Sequence, residues 1–258
     1  MNIHPTAQIA ATAKLGGNVS VGPYAIIEDD VEIGDFSQID GHAVVRRYVK
    51  MGQHNWVHPH AVLGGLPQDL TFERDSVTWL EIGDGNVFRE GVTVSRASQT
   101  VTRIGSHCYL MNNSHVAHDC RLGDFNILAA NVALGGHVVV GNRVFFGGAS
   151  VVHQFCRIGS FAMIRGMAGV NKDVLPYSLV GGAPIKHYRL NSVGLHRNGI
   201  EGDAYLALSS AYRSLRLRES IDELPDTEEL AYLRAWLAEP SKRGLAGFVA
   251  LSVKTDDE

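Results

Sequence analysis

The chain has 258 residues and a formal net charge of −4, with 45% hydrophobic and 19% charged residues. That is the composition of one large soluble domain or two modest ones, and the charge balance gives no sign of a nucleic-acid binder. Glycine is frequent at 28 residues and aromatics are sparse at 8%, which suits tight corners and small interior side chains.

The chain opens on Met1-Asn2-Ile3-His4-Pro5. This lacks the basic and apolar regions of a signal peptide. No apolar run approaches membrane-spanning length, so no stable membrane insertion is expected and the expected location is cytoplasmic. From Ile3 an aliphatic or methionine recurs every sixth residue through Val21, Ile33, Val45 and Met51 to Leu63. Four residues after each comes a smaller one, such as Ala7, Val19, Ser37, Asn55 or Ala61. Glycine often follows the aliphatic, as at Gly16, Gly22, Gly34, Gly52 and Gly64, and is expected to serve corner backbone angles. Neither a helix nor a plain strand has this period. It is the hexapeptide signature of a parallel β-helix, one short strand and one turn per hexad.

The register breaks over 64–80, resumes at Ile82, Phe88 and Val94, and breaks again over 95–103. Both breaks predict loops thrown out of the coil, and in solenoids such loops often mark the binding face. A third run steps from Ile104 through Val116, Leu134 and Val152 to Val170. Its companion series includes Cys108, Cys120 and Cys156, the chain's three cysteines. They are too few for a disulfide framework and read as small interior residues. With three hexads per turn the chain makes about nine coils, a prism roughly 40 Å long at the usual strand spacing.

After Tyr177 the pattern dissolves, and Gly181-Gly182-Ala183-Pro184 marks a boundary. Helices are predicted over 203–219, with Tyr205, Leu208, Tyr212 and Leu215 on one stripe, and over 227–239, capped by Asp226 or Thr227. The expected organisation is therefore a β-helix over 1–189 and a small α-helical domain over 190–258 that caps the coil end.

Histidines mark the candidate site. His115 and His118 flank the inward Val116 and are expected to point outward from one flat strand. His137 and His153 follow at about one coil each, so His118, His137 and His153 form an expected file along one side. Imidazole suits general-base work near neutral pH, and Asp119 beside His118 is placed to fix its tautomer.

These motifs carry a family resemblance. The run Asn113-Ser114-His115-Val116-Ala117-His118-Asp119-Cys120 resembles the UDP-N-acetylglucosamine O-acyltransferases that start lipid A synthesis. So do Gly135-Gly136-His137, Val152-His153-Gln154-Phe155, Pro67-Gln68-Asp69-Leu70, Trp79 to Asp84 and Arg243-Gly244-Leu245. The resemblance implies a left-handed coil and a homotrimer with active sites between subunits. It implies that His118 takes the proton of the sugar 3-hydroxyl, whose oxygen attacks a 3-hydroxyacyl thioester on acyl carrier protein. Asp119 would orient His118, and the Gly136 N–H would stabilise the oxyanion. Gln68, Asp69, His115, His137 and Gln154 would position sugar or acyl groups, His153 would line the cleft, and Asn191 and Arg197 would lie near nucleotide and carrier arm. Gly166 falls at the acyl-length position. No metal, no cofactor and no covalent enzyme intermediate is implied; the carrier thioester is a substrate.

The chain departs from the family at Thr71 (usually lysine), Val193 (usually glutamate) and Asn198 (usually arginine), and the second insertion is shortened to Ala97-Ser98-Gln99-Thr100. These departures leave open a paralogue acylating a different UDP-sugar on oxygen or nitrogen. Arg165 and Met167 beside Gly166 depart too, so no chain length is predicted. Two further readings stand beside this one. A zinc hydro-lyase like the hexapeptide carbonic anhydrases would use His115, His118 and His137 as ligands, and a non-catalytic scaffold would explain the repeat alone.

Overall fold

A computed structural model describes residues 2–250. It is a parallel β-solenoid with three faces. The first sheet stacks ten parallel strands plus one antiparallel strand, the second nine and the third eight, one coil longer than the period suggested. Most strands are two residues long. A strand this short has no stability alone and forms only because coils above and below supply its hydrogen bonds. Gln8 N–H donates to Ala25 O at 2.9 Å and Ala10 N–H to Ile27 O at 2.9 Å, and the pattern recurs along the prism.

The sixth-residue aliphatics point inward and are buried, Ile27, Ile39, Leu63, Leu110 and Leu134 among them. The companion series fills the corners from inside, and its polar members are mostly paired: Asn55 Oδ1 accepts from Asn86 N–H at 2.9 Å, and Asn126 Nδ2 donates to Gly123 O and Gly141 O. The three cysteines are free and buried in this series. Burial pushes the thiols of Cys108 and Cys156 up to about 11 and that of Cys120 to about 12, so none supplies a thiolate near neutral pH.

Gly64 takes the corner angle expected of it, at φ 79°, but the other glycines that follow an aliphatic have a different job. The left-handed backbone falls three residues after most of the aliphatics, on Asn18, Tyr24, Asp30, Phe36, His42, Gly85, Gly91, Asp119 and His137 among others, and of the described glycines that directly follow an aliphatic Gly64 alone shares it. The glycines stand where one coil's backbone presses on the next. A Cβ on Gly34 would lie 2.5 Å from Gly52 C, and one on Gly22 would lie 2.6 Å from Gly41 N. Close approach, not backbone freedom, selects glycine there.

The insertions span 66–78 and 96–100, slightly shorter than expected because the strands Val62–Gly65, Trp79–Ile82 and Val101–Ile104 each run long. Both leave from the corner that follows the second sheet. The stretch 181–184 is a hairpin turn: Ser178–Gly181 pairs antiparallel with Lys186–Leu190. Beyond it lie α1 (Ser192–Arg197), α2 (Gly202–Leu217) and α3 (Glu228–Ala238). Thr227 caps α3 by accepting from Leu230 N–H. Leu208 and Tyr212 are buried with Leu230, Leu233 and Trp236 over Leu175 and Tyr177, the last coil of the prism. The C-terminal segment is pinned by His187, wholly buried, whose Nδ1 donates to Ala246 O at 3.0 Å while Nε2 accepts from Leu175 N–H at 2.9 Å.

Candidate active site at the corner after the second sheet

Pairing of Val116 with Leu134 and of Leu134 with Val152 fixes which corner residues stack. His118 lies over Gly136 and Gln154, Asp119 over His137 and Phe155, and Ala117 over Gly135 and His153. The imidazoles of His118, His137 and His153 therefore occupy successive coils but three adjacent columns, not one file. His115 is in the strand His115–Val116, whereas His118 is in the turn after it. They do not share a flat strand, because His118 is two residues past the inward Val116.

Asp119 sits in the left-handed region at φ 59°, which aspartate tolerates better than most residues. This folds its carboxylate back onto its own neighbour: Asp119 Oδ2 lies 2.8 Å from His118 Nδ1. The second insertion closes over the same carboxylate. Oδ2 accepts from Ser98 N–H and Oγ at 3.0 and 2.8 Å, and Oδ1 accepts from Gln99 N–H, Thr100 N–H and Thr100 Oγ1 at 3.1, 2.8 and 3.1 Å. Burial alone would raise this carboxyl's pKa, but the bonds from Thr100, His118 and Ser98 outweigh it and hold it well below the usual range. A fixed anion at Nδ1 keeps the proton on Nδ1 and leaves Nε2 as the lone-pair nitrogen.

Nε2 projects over Gly136. A Cβ there would meet His118 Cε1 at 2.7 Å and Nε2 at 2.8 Å, so any side chain would displace the ring. Gly136 O accepts from Phe155 N–H, while the Gly136 N–H has no acceptor among the described residues. A basic nitrogen and an uncommitted N–H donor thus share one pocket of the corner.

His137 stacks on Phe155 with centroids 4.6 Å apart, and the Lys242 ammonium lies over the other ring of that pair, 4.4 Å from the Phe155 centroid. His115 Nδ1 meets Thr93 Oγ1 at 2.8 Å. Burial lowers the pKa of both His115 and His137. Asp69 accepts from Thr71 N–H and Oγ1 at 2.9 and 2.8 Å, which lowers its pKa, with smaller contributions from His118 and Ser98. The first insertion meets the second at this corner, where Gly65 O accepts from Arg96 N–H and Thr78 Oγ1 donates to Ala97 O, and Thr71, a departure from the family pattern, acts on Asp69. Gln68, His153 and Gln154 are exposed there.

The remaining candidates lie elsewhere on the chain. Gly166 is at the corner after the first sheet, following Met163–Ile164. Asn191 and Arg197 line a cavity of about 320 Å³ with Phe145, Met163 and Leu179, outward residues of the first sheet. Asn191 also caps α1, accepting from Gly194 N–H and donating to Phe161 O. One chain does not bring these three to His118. Sequence reasoning also missed Ser98, Thr100, Thr93 and Lys242. The alternating hydroxyls of Ser98 and Thr100 were the available signal, since such residues readily clamp a carboxylate from a turn.

The ligand atoms of His118, Asp119 and His137 lie within 4.8 Å of one another, a set that excludes His115. Both carboxylate oxygens are saturated by loop donors and Nδ1 of His118 faces Asp119, so the donor set fits a hydrogen-bonded dyad and not a metal centre. Among the described residues no helix is long and apolar enough to cross a membrane.

Known proteins match the chain over most of its length. A family model described as UDP N-acetylglucosamine O-acyltransferase, domain 2, matches residues 173–246, and one for bacterial transferase hexapeptides matches 102–136. An acyl-[acyl-carrier-protein]–UDP-N-acetylglucosamine O-acyltransferase of Anaeromyxobacter dehalogenans is 45% identical over 95% of this chain and 99% of its own. Among solved structures, LpxA from Acinetobacter baumannii is 37% identical with a TM-score of 0.90, covering 95% of this chain and 99% of that one. The UDP-N-acetylglucosamine acyltransferase from Campylobacter jejuni is 31% identical with a TM-score of 0.90, covering 96% and 100%. The chain belongs to the UDP-N-acetylglucosamine O-acyltransferase family.

Proposed function

We propose that the chain moves a 3-hydroxyacyl group from acyl carrier protein to the 3-hydroxyl of UDP-N-acetylglucosamine, the first step of lipid A synthesis, with His118 as general base. The observation that carries the mechanism is the His118–Asp119 contact at 2.8 Å, with Nε2 above a Gly136 N–H that has no acceptor among the described residues. Nε2 takes the proton of the sugar 3-hydroxyl as its oxygen attacks the thioester carbonyl. The tetrahedral oxyanion lies on the Gly136 N–H. It collapses by breaking the C–S bond, and the proton passes from His118 to the leaving thiol of the carrier. Asp119 stays ionised throughout and stabilises the imidazolium. Gln68, Asp69, His115, His137, His153 and Gln154 hold sugar and acyl groups. The reaction needs no metal or cofactor, a reading supported by the saturated Asp119.

We propose further that the enzyme is a cytoplasmic homotrimer of left-handed coils, as its family membership supports. The chain divides at about 189/190, where the hairpin gives way to helices. The outward face of the third sheet is charged and self-paired, Lys14 with Glu32 at 2.9 Å and Arg103 with Glu81 at 2.8 Å. The outward residues of the first sheet are polar at Asn2, Ser20 and Gln38 and then run Trp56, Val87, Tyr109, Ile127, Phe145 and Met163, a row suited to burial against other copies. A second copy would supply Gly166, Asn191 and Arg197 to the His118 corner. Docking of acyl carrier protein rests on Arg213 and Arg218, which are exposed; Arg216, though on the same helix, donates to Tyr188 O at 2.6 Å and serves the fold.

The paralogue reading keeps specific support from Thr71 on Asp69, from Val193, which is 57% exposed on α1, and from Asn198, which bonds Gly194 O. One experiment separates the readings: purified trimer, checked by sedimentation and metal analysis, is given a panel of UDP-sugars with several acyl carrier protein thioesters. Mass spectrometry is expected to show O-acylated UDP-N-acetylglucosamine. Acylation of an amino sugar alone would replace that reading, and no acyl transfer to any sugar would end it.

A further inference from the structure

The second insertion is only 96–100, yet it bonds both the His118–Asp119 pair and the first insertion. Its first residue, Arg96, is 4% exposed. No carboxylate among the described residues pairs with its guanidinium. A buried cation without a counterion is costly unless its N–H groups and its ring-like plane are otherwise occupied. Here they are. Nη1 donates to Ser76 O at 3.0 Å and Thr78 O at 3.4 Å, and Nη2 to Arg74 O at 3.3 Å. The guanidinium carbon lies 4.9 Å from the Tyr48 ring centroid and 5.3 Å from that of Phe72. All three acceptors and Phe72 belong to the first insertion; only Tyr48 belongs to the coil. The backbone adds to the seam. Arg96 N–H donates to Gly65 O at 2.9 Å, where the first insertion departs, and Ala97 N–H to Trp79 O at 3.3 Å, where it returns.

We propose that Arg96 is a positioning residue: its guanidinium holds the first insertion, and with it Gln68 and Asp69, against the His118 corner. The role differs from that of its neighbours. Ser98, Gln99 and Thr100 act on Asp119 itself, whereas no contact of the Arg96 side chain reaches the dyad. Loss of the guanidinium therefore releases the arm that carries the substrate-holding residues and leaves proton transfer in place. The expectation that this arm holds the sugar rests on the function proposed above.

The test is Arg96→Met in the full-length protein, which keeps apolar packing between Tyr48 and Phe72 and removes the donors. Amide hydrogen exchange is read separately for 66–78, for 96–100 and for 115–119, alongside steady-state kinetics with UDP-N-acetylglucosamine. Exchange over 66–78 is expected to rise tenfold or more with the other two segments near wild type. KM for the sugar is expected to rise at least tenfold, with kcat within threefold and its pH profile unmoved. Arg96→Lys, which keeps the charge but cannot fork across the carbonyls, should show the same pattern to a smaller degree and replaces the Met variant if that one does not fold. Unchanged exchange over 66–78 would overturn the proposal, as would a loosened arm with an unchanged KM, or a fall in kcat with KM unmoved. Wild-type enzyme inactive on this sugar would instead count against the proposed function, because the exchange readout is independent of turnover.

Discussion

The corner after the second sheet and the corner after the third have the same backbone and opposite duties. At the third-sheet corner from Ile82 to Val140 the N–H two residues past each aliphatic is capped by a side chain from the next coil. Asp84 N–H donates to Ser106 Oγ at 3.0 Å, Ser106 N–H to Asp124 Oδ1 at 2.7 Å, Asp124 N–H to Asn142 Oδ1 at 2.8 Å and Asn142 N–H to Ser160 Oγ at 3.0 Å. The column closes on itself. At the second-sheet corner the same column reads His118, Gly136, Gln154, and the Gly136 N–H is left uncapped among the described residues. The coil thus offers one polar N–H per corner per turn. Small acceptors in the column convert it to stability, and a glycine under an imidazole leaves it for chemistry.

The largest test of that contrast is His118→Ala. It should cost the roughly 10²–10⁴-fold in kcat typical of a general base, while the protein melts normally because Val116 and not His118 fills the coil. A normally folded variant with near-native turnover would return His118 to a packing role. Gly136→Ala comes next. Its Cβ falls 2.7 Å from the His118 ring, and displacement of a catalytic group by an ångström is worth about 10²-fold. Gly17→Ala is the matched control at the third-sheet corner, where the added Cβ would be 3.8 Å from Asp35; rate and melting temperature should stay as they are. Equal effects in the two variants would break the comparison.

Asp119→Asn should lower the rate less than loss of His118. It also has an acid signature. Asp119's folded pKa is depressed, so its stabilisation is present above the unfolded value of about 3.8 and is lost as pH falls below that. The variant should therefore lose stability at neutral pH and show a flatter acid-unfolding curve below pH 4. An unaltered curve would show that the loop bonds do not depend on the charge. The smallest effect belongs to Asp124→Ala, which uncaps Ser106 N–H at the third-sheet corner. A cost of about 1 kcal/mol is expected, with turnover unchanged.

How much of this was legible in the sequence follows from which residues carried it. The aliphatics from Ile3 to Val170 face a uniform interior, so their period reported the fold directly. The glycines other than Gly64 misled, because a sequence cannot distinguish a residue chosen for its backbone angles from one chosen because another chain segment lies against it. His118 was found because it adjoins Asp119. The clamp from Ser98 and Thr100 was not, since period and spacing say where a loop leaves the coil and not what it folds onto. The hairpin after Ser178 and the short α1 were missed for a related reason: each is too brief to show a period. Gly166, Asn191 and Arg197 came from resemblance alone, and the single chain places them away from the dyad.

Where backbone presses on backbone at Gly22 and Gly34, the prism cannot be compressed along its axis. Any two groups at equivalent positions are separated by a whole number of coil steps of about 4.8 Å, and one step is a shift of eighteen positions, as from Val116 to Leu134. Reach along such a molecule is digital. Moving one bulky residue to the next coil would change the distance between two groups by one rung, with no bending of the shaft and no disturbance to the rungs between.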